Sequence, residues 1–489
     1  MTMNTLQALG LCAIPFLIWL YWRERNKLRK TTAVMNRALK DVTDRLEHDD
    51  RTGLLTFDKF EARLEEEVQR ADQTASSLSV LAVSIDDFGL ISNGFGETSA
   101  ADVVKLAAER LVACSDDDAS VCKVATAEYA LLVSGGAHAG TLRAQRIKSA
   151  FTQAFEIGND KVHLTCSIGI AVYPVDGART NIISYANLAM RSLQSSGGAD
   201  YCLYDPQMSI QARDEAMLVN DLRQALQRGH FELYFQPKID AQSLQVTAAE
   251  ALIRWHHPTR GFVSPVIFIP LAEKYGLIGP IGTWVIEEAC RQAHGWAESG
   301  LRMRVAVNIS GYQMRQDNLV EFIQGVLSAY GLQPERFTCE ITETVAMEDT
   351  QATQLTFEKM RHAGFHVSID DFGTGYSSLA ALQQLPAAEL KIDQAFVKDL
   401  EHNEMSRSIV TSIVQLAKAC NLRTIAEGVE TTGQRDLLVA MGCDELQGYL
   451  FSKPVSGNDL QKMAMNRFSA DTTDFRDSLY ATSFMNDVK

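Results

Sequence analysis

In the second half of the chain, short apolar runs end repeatedly on a carboxylate or a carboxamide. Val305, Ala306 and Val307 lead to Asn308; Phe337, Thr338 and Cys339 lead to Glu340; Val367, Ser368 and Ile369 lead to Asp370 and Asp371. Ile425 leads through Ala426 to Glu427, and Val246 leads through small residues to Glu250. Bare like charges of this number would not persist together in a confined cleft. Divalent cations remove the conflict, and ligands that are all oxygen select Mg2+ or Mn2+ over zinc. A carboxylate shared between two such ions is the usual way to hold a pair for phosphoryl chemistry. Taken singly, each residue has a plainer use: Glu250 as a helix cap, Asn308 in a turn, Asp370 and Asp371 at the start of a loop. Their common phase with successive strands is what favours a site.

Two cations belong to the same pattern. Lys391, after Leu390 and before Ile392 and Asp393, would ordinarily point to water from a strand end. In a cleft of carboxylates it is drawn instead to an attacking water or a phosphate oxygen, where its charge stabilises the attacking group. Arg254, four residues after Glu250, offers the fixed donor fork that suits a phosphate, with a surface ion pair as its alternative.

Such residues need a scaffold that brings strand ends to one face. From residue 231 to 452, short β-branched runs alternate with helical stretches, which reads as a (β/α) barrel of parallel strands with its site at their C-terminal ends. Between residues 49 and 205, strand-like runs at 78–85, 129–133 and 165–172 alternate with amphipathic helices such as 101–113, an α/β domain of ordinary size. The whole reads as an α/β multidomain chain. Residues 206–229 form a charged helical connector, the barrel domain spans 230–466, and 467–489 are a polar tail.

Composition narrows the partners. At 489 residues the chain is too long for one ordinary core, and its 46% hydrophobic content is that of a folded protein. A formal charge of -15 would repel a nucleic-acid backbone, so no nucleic acid is expected. A small anionic substrate stays possible if bound cations reverse the local field. The 9 cysteines show no C-x-x-C and no zinc spacing, and read as reduced core residues of a cytosolic compartment.

At the N-terminus, residues 6–22 are apolar apart from Gln7, and Arg23, Arg25, Lys27, Arg29 and Lys30 follow. A cleaved signal peptide wants its charge before the apolar stretch and small residues after it; here both are reversed. The segment 1–22 therefore reads as an N-terminal transmembrane helix in the inner membrane, with the basic cluster and both domains cytoplasmic. In the linker 23–48, Leu28, Met35, Leu39, Val42 and Leu46 form either a short coiled-coil stripe or a solvated helix with incidental apolar residues.

The second half resembles the EAL-type cyclic di-GMP phosphodiesterases. Glu250-Ala251-Leu252 carries the naming motif, and the match runs in order through Gln236-Pro237, Val307 to Ser310, Glu340 to Glu343, Asp370 to Ser378, Lys391 to Asp393, Glu427 to Glu430 and Gln447 to Tyr449. The resemblance implies metal ligation by Glu250, Asn308, Glu340, Asp370 and Asp371, with Lys391 and Glu427 assisting the water. It implies substrate or site-floor roles for Gln236, Arg254, Asp393, Glu430 and Gln447, and support by Glu343 of a loop at 371–378 that joins the site to a homodimer contact. Ala388 departs from the family, which usually has an acid there.

The first half is similar to a GGDEF diguanylate cyclase domain without its chemistry. Asp49 to Leu54 resembles the family's opening D-x-L-T-G-L, with Arg51 in place of leucine, and Asp86 to Gly96 resembles a second motif. The signature itself reads Ala125-Thr126-Ala127-Glu128-Tyr129. Glycines are missing where backbone should approach a nucleotide, Ala127 cannot ligate metal, and Ser84 and Ser92 stand at a metal position and a guanine-binding position. No cyclase activity is expected, and GTP should bind poorly. The leading expectation is hydrolysis of cyclic di-GMP to linear pGpG with two Mg2+ or Mn2+ ions; the alternative is a receptor that binds cyclic di-GMP without cutting it.

Overall fold

Strand β1 (Leu78–Ile85) is buried along its whole length, which requires apolar cover on both faces of its sheet. This computed structural model describes residues 21–25, 27, 35, 47–115, 121–158, 160–348, 351–373, 382 and 385–468. The chain divides into two units, Met1–Glu215 and Ala216–Lys489. In the first, β2 (Val121–Lys123) and β3 (Glu128–Ser134) form a hairpin, and β4 (Phe155–Ile157) pairs with β5 (Asp160–Val162) apart from the main sheet. With β6 (Cys166–Tyr173) and β7 (Tyr201–Leu203), the sheet has the order β2-β3-β1-β6-β7.

One face of this sheet is covered by helices Phe88–Ala113 and Ala137–Phe151 through Val103, Ala107, Leu111, Ala144 and Ile147. Helices Phe57–Thr74 and Arg179–Ser195 cover the other through Phe60, Leu64, Ile182, Ala186 and Met190. Helix 101–113 proves to begin earlier, at Phe88, with a break at Gly96 (φ 82°, ψ 168°) that only glycine adopts easily. The turn at 124–127 closes the β2–β3 hairpin without glycine: Val124 N and Ala125 N both donate to Glu128 O.

The second unit is built on β8 (Phe231–Asp240), β9 (Val246–His257), β10 (Gly261–Val263), β11 (Arg304–Asn308), β12 (Phe337–Thr342), β13 (His366–Phe372), β14 (Glu389–Ile392), β15 (Arg423–Ala426), β16 (Glu445–Leu446) and β17 (Val455–Ser456). The strands β9-β11-β12-β13-β14-β15-β16-β8 close into an eight-stranded barrel because β8 also pairs with β9. Seven of them run parallel, but β8 is antiparallel to both β9 and β16. The expectation of a uniformly parallel barrel is corrected at this strand. Apolar periodicity reports which face of a strand is covered and carries no direction.

Helices outside the barrel supply its apolar cover. Glu404–Ala419 buries Val410, Ile413, Val414 and Ala417, one stripe at helical spacing, and Asn403 caps it by accepting from Met405 N and Ser406 N. Outward-facing strand residues join that core: Val305 and Val307, Cys339 and Ile341, Val367 and Ile369, Leu390 and Ile392. Alternate positions face inward and are largely polar. Among the described residues no helix is long and apolar enough to cross a membrane. The expected anchor at 6–22, the stripe at 28–46 and the tail at 467–489 fall, a few positions aside, outside the described residues.

Candidate active site

Strand alternation delivers the inward side chains. On β14, Leu390 and Ile392 pack outward, so Lys391 between them must point into the barrel, where it is 1% exposed. Its Nζ lies 2.7 Å from Glu427 Oε1, 3.0 Å from Asp370 Oδ1, 3.3 Å from Glu340 Oε2 and 3.6 Å from Glu250 Oε2. Four of the expected site carboxylates thus converge on one ammonium. Burial opposes the charge on Lys391, but Asp370, Glu250, Glu340 and Glu427 hold it protonated well above the usual lysine range.

The carboxylates are set by register. Asn308 lies beside Glu340 and Thr342 beside Asp370, so β11, β12 and β13 present their polar groups at about one level. Glu250 does not sit at its strand end as expected; it lies mid-way along β9, opposite Ala306 and Gln236, because β9 runs on past it along the first half of β8 and then turns into β10. Asn308 Nδ2 donates to Glu250 Oε1 at 2.9 Å, and Gln447 Nε2 donates to Glu250 Oε2 at 2.7 Å. Gln447 Nε2 also donates to Gln236 Oε1 at 3.2 Å, and Gln236 Nε2 to Ser452 O. Both oxygens of Glu250 are therefore aimed. Burial alone would raise its pKa, yet Lys391, Lys238 and the Gln447 amide hold it below the usual value.

Asp370, Asp371 and Glu427 each offer an oxygen within 4.8 Å of the others, a spacing that fits a divalent cation. Glu427, expected only beside the water, is thus within ligand reach. Burial, with Asp370 and Glu250 nearby, pushes its carboxyl up to about 8 in spite of Lys391. Burial, then Asp370 and Asp393, pushes Asp371 up to about 6. Asp371 has φ +54°, so the chain turns sharply there, and its N–H donates to Asp370 Oδ1 at 2.9 Å. Carboxylates that resist ionisation when crowded are the donor set that a divalent ion relieves.

The remaining expected residues separate into three groups. Glu343 is buried and its Oε2 accepts from Gly373 N at 2.7 Å, a direct tie to the segment after Asp371; residues 374–378 of that loop lie outside the described residues. Asp393 caps helix Gln394–Lys398 by accepting from Ala395 N, while standing close enough to Asp371 to raise it. Arg254 does not join the carboxylates: its Nη1 donates to Ile253 O, and its guanidinium lies 5.7 Å from the Tyr234 ring centre and 5.9 Å from that of Phe262. Glu430 is exposed, with its backbone N–H donating to Gln434 Oε1, and none of the contacts around Lys391 involves it.

Sequence reasoning missed Lys238, Glu389, Arg304 and Glu445, all buried inside the barrel. Lys238 Nζ is 2.6 Å from Glu340 Oε1, and Arg304 pairs with Glu389 at 2.5 Å and with Glu445 at 3.4 Å. A signal existed. Each stands two or four residues along a strand from a residue already singled out, Gln236, Lys391, Asn308 or Gln447, and so faces the same way.

Comparison with known proteins agrees with this division. The EAL domain family model matches residues 219–454, and the model for the diguanylate cyclase, GGDEF domain matches residues 46–200. The bifunctional diguanylate cyclase/cyclic di-GMP phosphodiesterase MucR of Pseudomonas aeruginosa is 37% identical over 428 residues, 87% of this chain and 62% of its own length. The cyclic di-GMP phosphodiesterase PdeR of Escherichia coli is 32% identical over 406 residues, 83% of this chain and 61% of its own. The chain therefore spans less than two thirds of the length of these curated relatives. Among solved structures, the EAL enzyme Bd1971 in its cGMP-bound form is 25% identical, covers 80% of this chain and 95% of its own, and has a TM-score of 0.51.

Proposed function

Because the chain belongs to the EAL domain family, with a GGDEF domain in tandem before it, we propose that it hydrolyses cyclic di-GMP to linear pGpG. The observation that carries this reading is the convergence of Glu250, Glu340, Asp370 and Glu427 on Lys391 inside the barrel. The donor set fits two hard divalent cations, Mg2+ or Mn2+, held by Glu250, Asn308, Glu340, Asp370 and Asp371, with Glu427 within range. Such ions would neutralise the phosphodiester and make water nucleophilic at neutral pH.

The chain's own groups do the rest. Water adds to one phosphorus, the bond from that phosphorus to the ribose 3′ oxygen breaks, and the leaving oxygen takes up a proton. Glu427, whose carboxyl is pushed up to about 8 while the site is cation-free, would give up its proton once bound cations offset the crowding carboxylates, and is then suited to accept the proton of the attacking water. Lys391 neutralises charge on the attacking group. Asn308 and Gln447 keep Glu250 aimed. Arg254, racked against Tyr234 and Phe262, offers a guanidinium to the second phosphate. Incubation of the purified chain with cyclic di-GMP and Mg2+ or Mn2+ should yield pGpG. Binding without any pGpG would make the protein a receptor instead.

The same reading takes the GGDEF domain as a silent regulatory or structural arm. It places the chain at the inner membrane through residues 6–22 and lets the barrel domains act as a homodimer. The support is the apolar segment with its basic flank and the family resemblance of the loop that Glu343 supports. Removal of residues 1–30 should release the chain from membranes, and specific activity should fall on dilution as dimers separate. A chain already soluble, or a specific activity flat across dilution, would remove the respective part.

A further inference from the structure

Glu340 is flanked by two lysines that treat it differently. Lys391 donates to its Oε2 at 3.3 Å but is shared with Glu427, Asp370 and Glu250. Lys238, on β8, donates to its Oε1 at 2.6 Å and is 1% exposed. Among the described residues, the only other carboxylate within ion-pair range of Lys238 is Glu389, whose Oε2 lies 3.9 Å away, and Glu389 is itself anchored by Arg304. Neither Glu389 Oε2 nor Glu445 Oε2 accepts a hydrogen bond among the described residues. Arg304 and Arg423 balance these two glutamates, so below Lys238 the floor offers its buried ammonium only the unfilled Oε2 of Glu389.

We infer that Lys238 is a positioning residue that reserves Glu340 Oε1, so that Glu340 meets a divalent cation through Oε2 alone. When cations arrive, Lys391 can give up Glu340 and keep Glu427 or Asp370. Lys238 has no such alternative above the floor, and Glu389 with Arg304 holds it from below. A carboxylate clamped at one oxygen presents the other at a fixed angle, which is the precision that a pair of ions needs. The cost is a permanent positive charge next to the ions. Lys238 therefore weakens metal binding while it improves the geometry of the bound state.

This rests on the two-metal reading, and the experiment separates the two. In the detergent-extracted full chain, Mg2+ binding is measured by calorimetry and by the rise in melting temperature, for the natural protein, Lys238→Met and Lys238→Gln. Both variants should bind Mg2+ more tightly, by roughly tenfold, because a nearby like charge is gone. Their metal-induced rise in melting temperature should be larger, since without cations buried Glu340 keeps only the shared Lys391 as a counter-charge. Turnover at saturating Mg2+ should fall in Lys238→Met and recover in part in Lys238→Gln, whose amide still donates to Oε1. Unchanged or weaker Mg2+ binding, with turnover and melting temperature falling together, would leave Lys238 a merely structural residue and overturn the inference. A natural protein that binds no divalent cation would overturn the two-metal reading beneath it.

Discussion

Lys391 holds the cation-free site together, and residues that share one ammonium cannot be removed one at a time without consequence. Glu250→Ala and Asp370→Asn should each reduce hydrolysis by at least roughly a hundredfold while the circular dichroism spectrum stays native, because ligands to a shared pair act as a unit. Near-normal turnover in Mg2+ for either would show that the ligand set is wrong. Glu427 makes a second expectation. Unfolded, it gives up its proton near 4.5, but folded and cation-free it keeps it to about 8. Over that range the native state binds more protons than the unfolded state, so this contribution is full below 4.5 and is lost as pH rises toward 8. Asp371 behaves alike up to about 6. His366, held below its ordinary 6.5 by burial, acts in the opposite sense below 6.5, so in the window from there to 8 Glu427 acts together with Glu340, whose carboxyl burial and Glu250 also push up. In chelator the melting temperature should fall between pH 6.5 and 8, and Mg2+ should flatten the fall. A chelated protein whose melting temperature rises across that window would contradict the assignment.

At the scale of elements, the runs ending on Asn308, Glu340, Asp370 and Lys391 were legible because short buried strands are continuous in apolar character and a charge at the end breaks the pattern. Glu389, Arg304 and Lys238 were not, since a charge at a strand start, or just after a proline, looks the same as a turn exposed to water. Only their position in a closed ring makes them interior. The antiparallel course of β8 was equally hidden, because Gln236 and Lys238 alternate with apolar residues whichever way the strand runs. Close approach of backbone was legible only as an unexplained glycine. At Gly448 an added Cβ would lie 2.1 Å from Val429 O and 2.3 Å from Val429 N, atoms that cannot yield as a side chain does. Gly448→Ala should therefore cost about 2–3 kcal/mol in urea denaturation. It should also lower activity, because the neighbouring Gln447 aims Glu250. An alanine variant with a natural urea midpoint would mean that the two segments can separate freely.

For the whole molecule, the proposed function gives the two units unequal chemistry. The first keeps the sheet, both apolar faces and a hairpin turn formed without glycine, and its resemblance to the GGDEF family implies that Ala127, Ser84 and Ser92 stand where metal and guanine contacts would be needed. On that reading the losses act on metal, phosphate and base separately, so restoring one should not revive the site. Calorimetry of the full chain with GTP and Mg2+ should show no binding in the micromolar range, and GTP should yield no cyclic di-GMP; heat of binding at micromolar GTP would restore a sensing role. In the second unit, the reversed β8 has its own outcome. Phe231 pairs with Trp255, near the C-terminal end of β9, and His257 just beyond contacts Asp221 on helix Pro206–Ala225. The polypeptide thus enters the barrel at the rim where catalysis would occur. Strain on the Asp221–His257 contact would therefore fall on the doorway of the barrel.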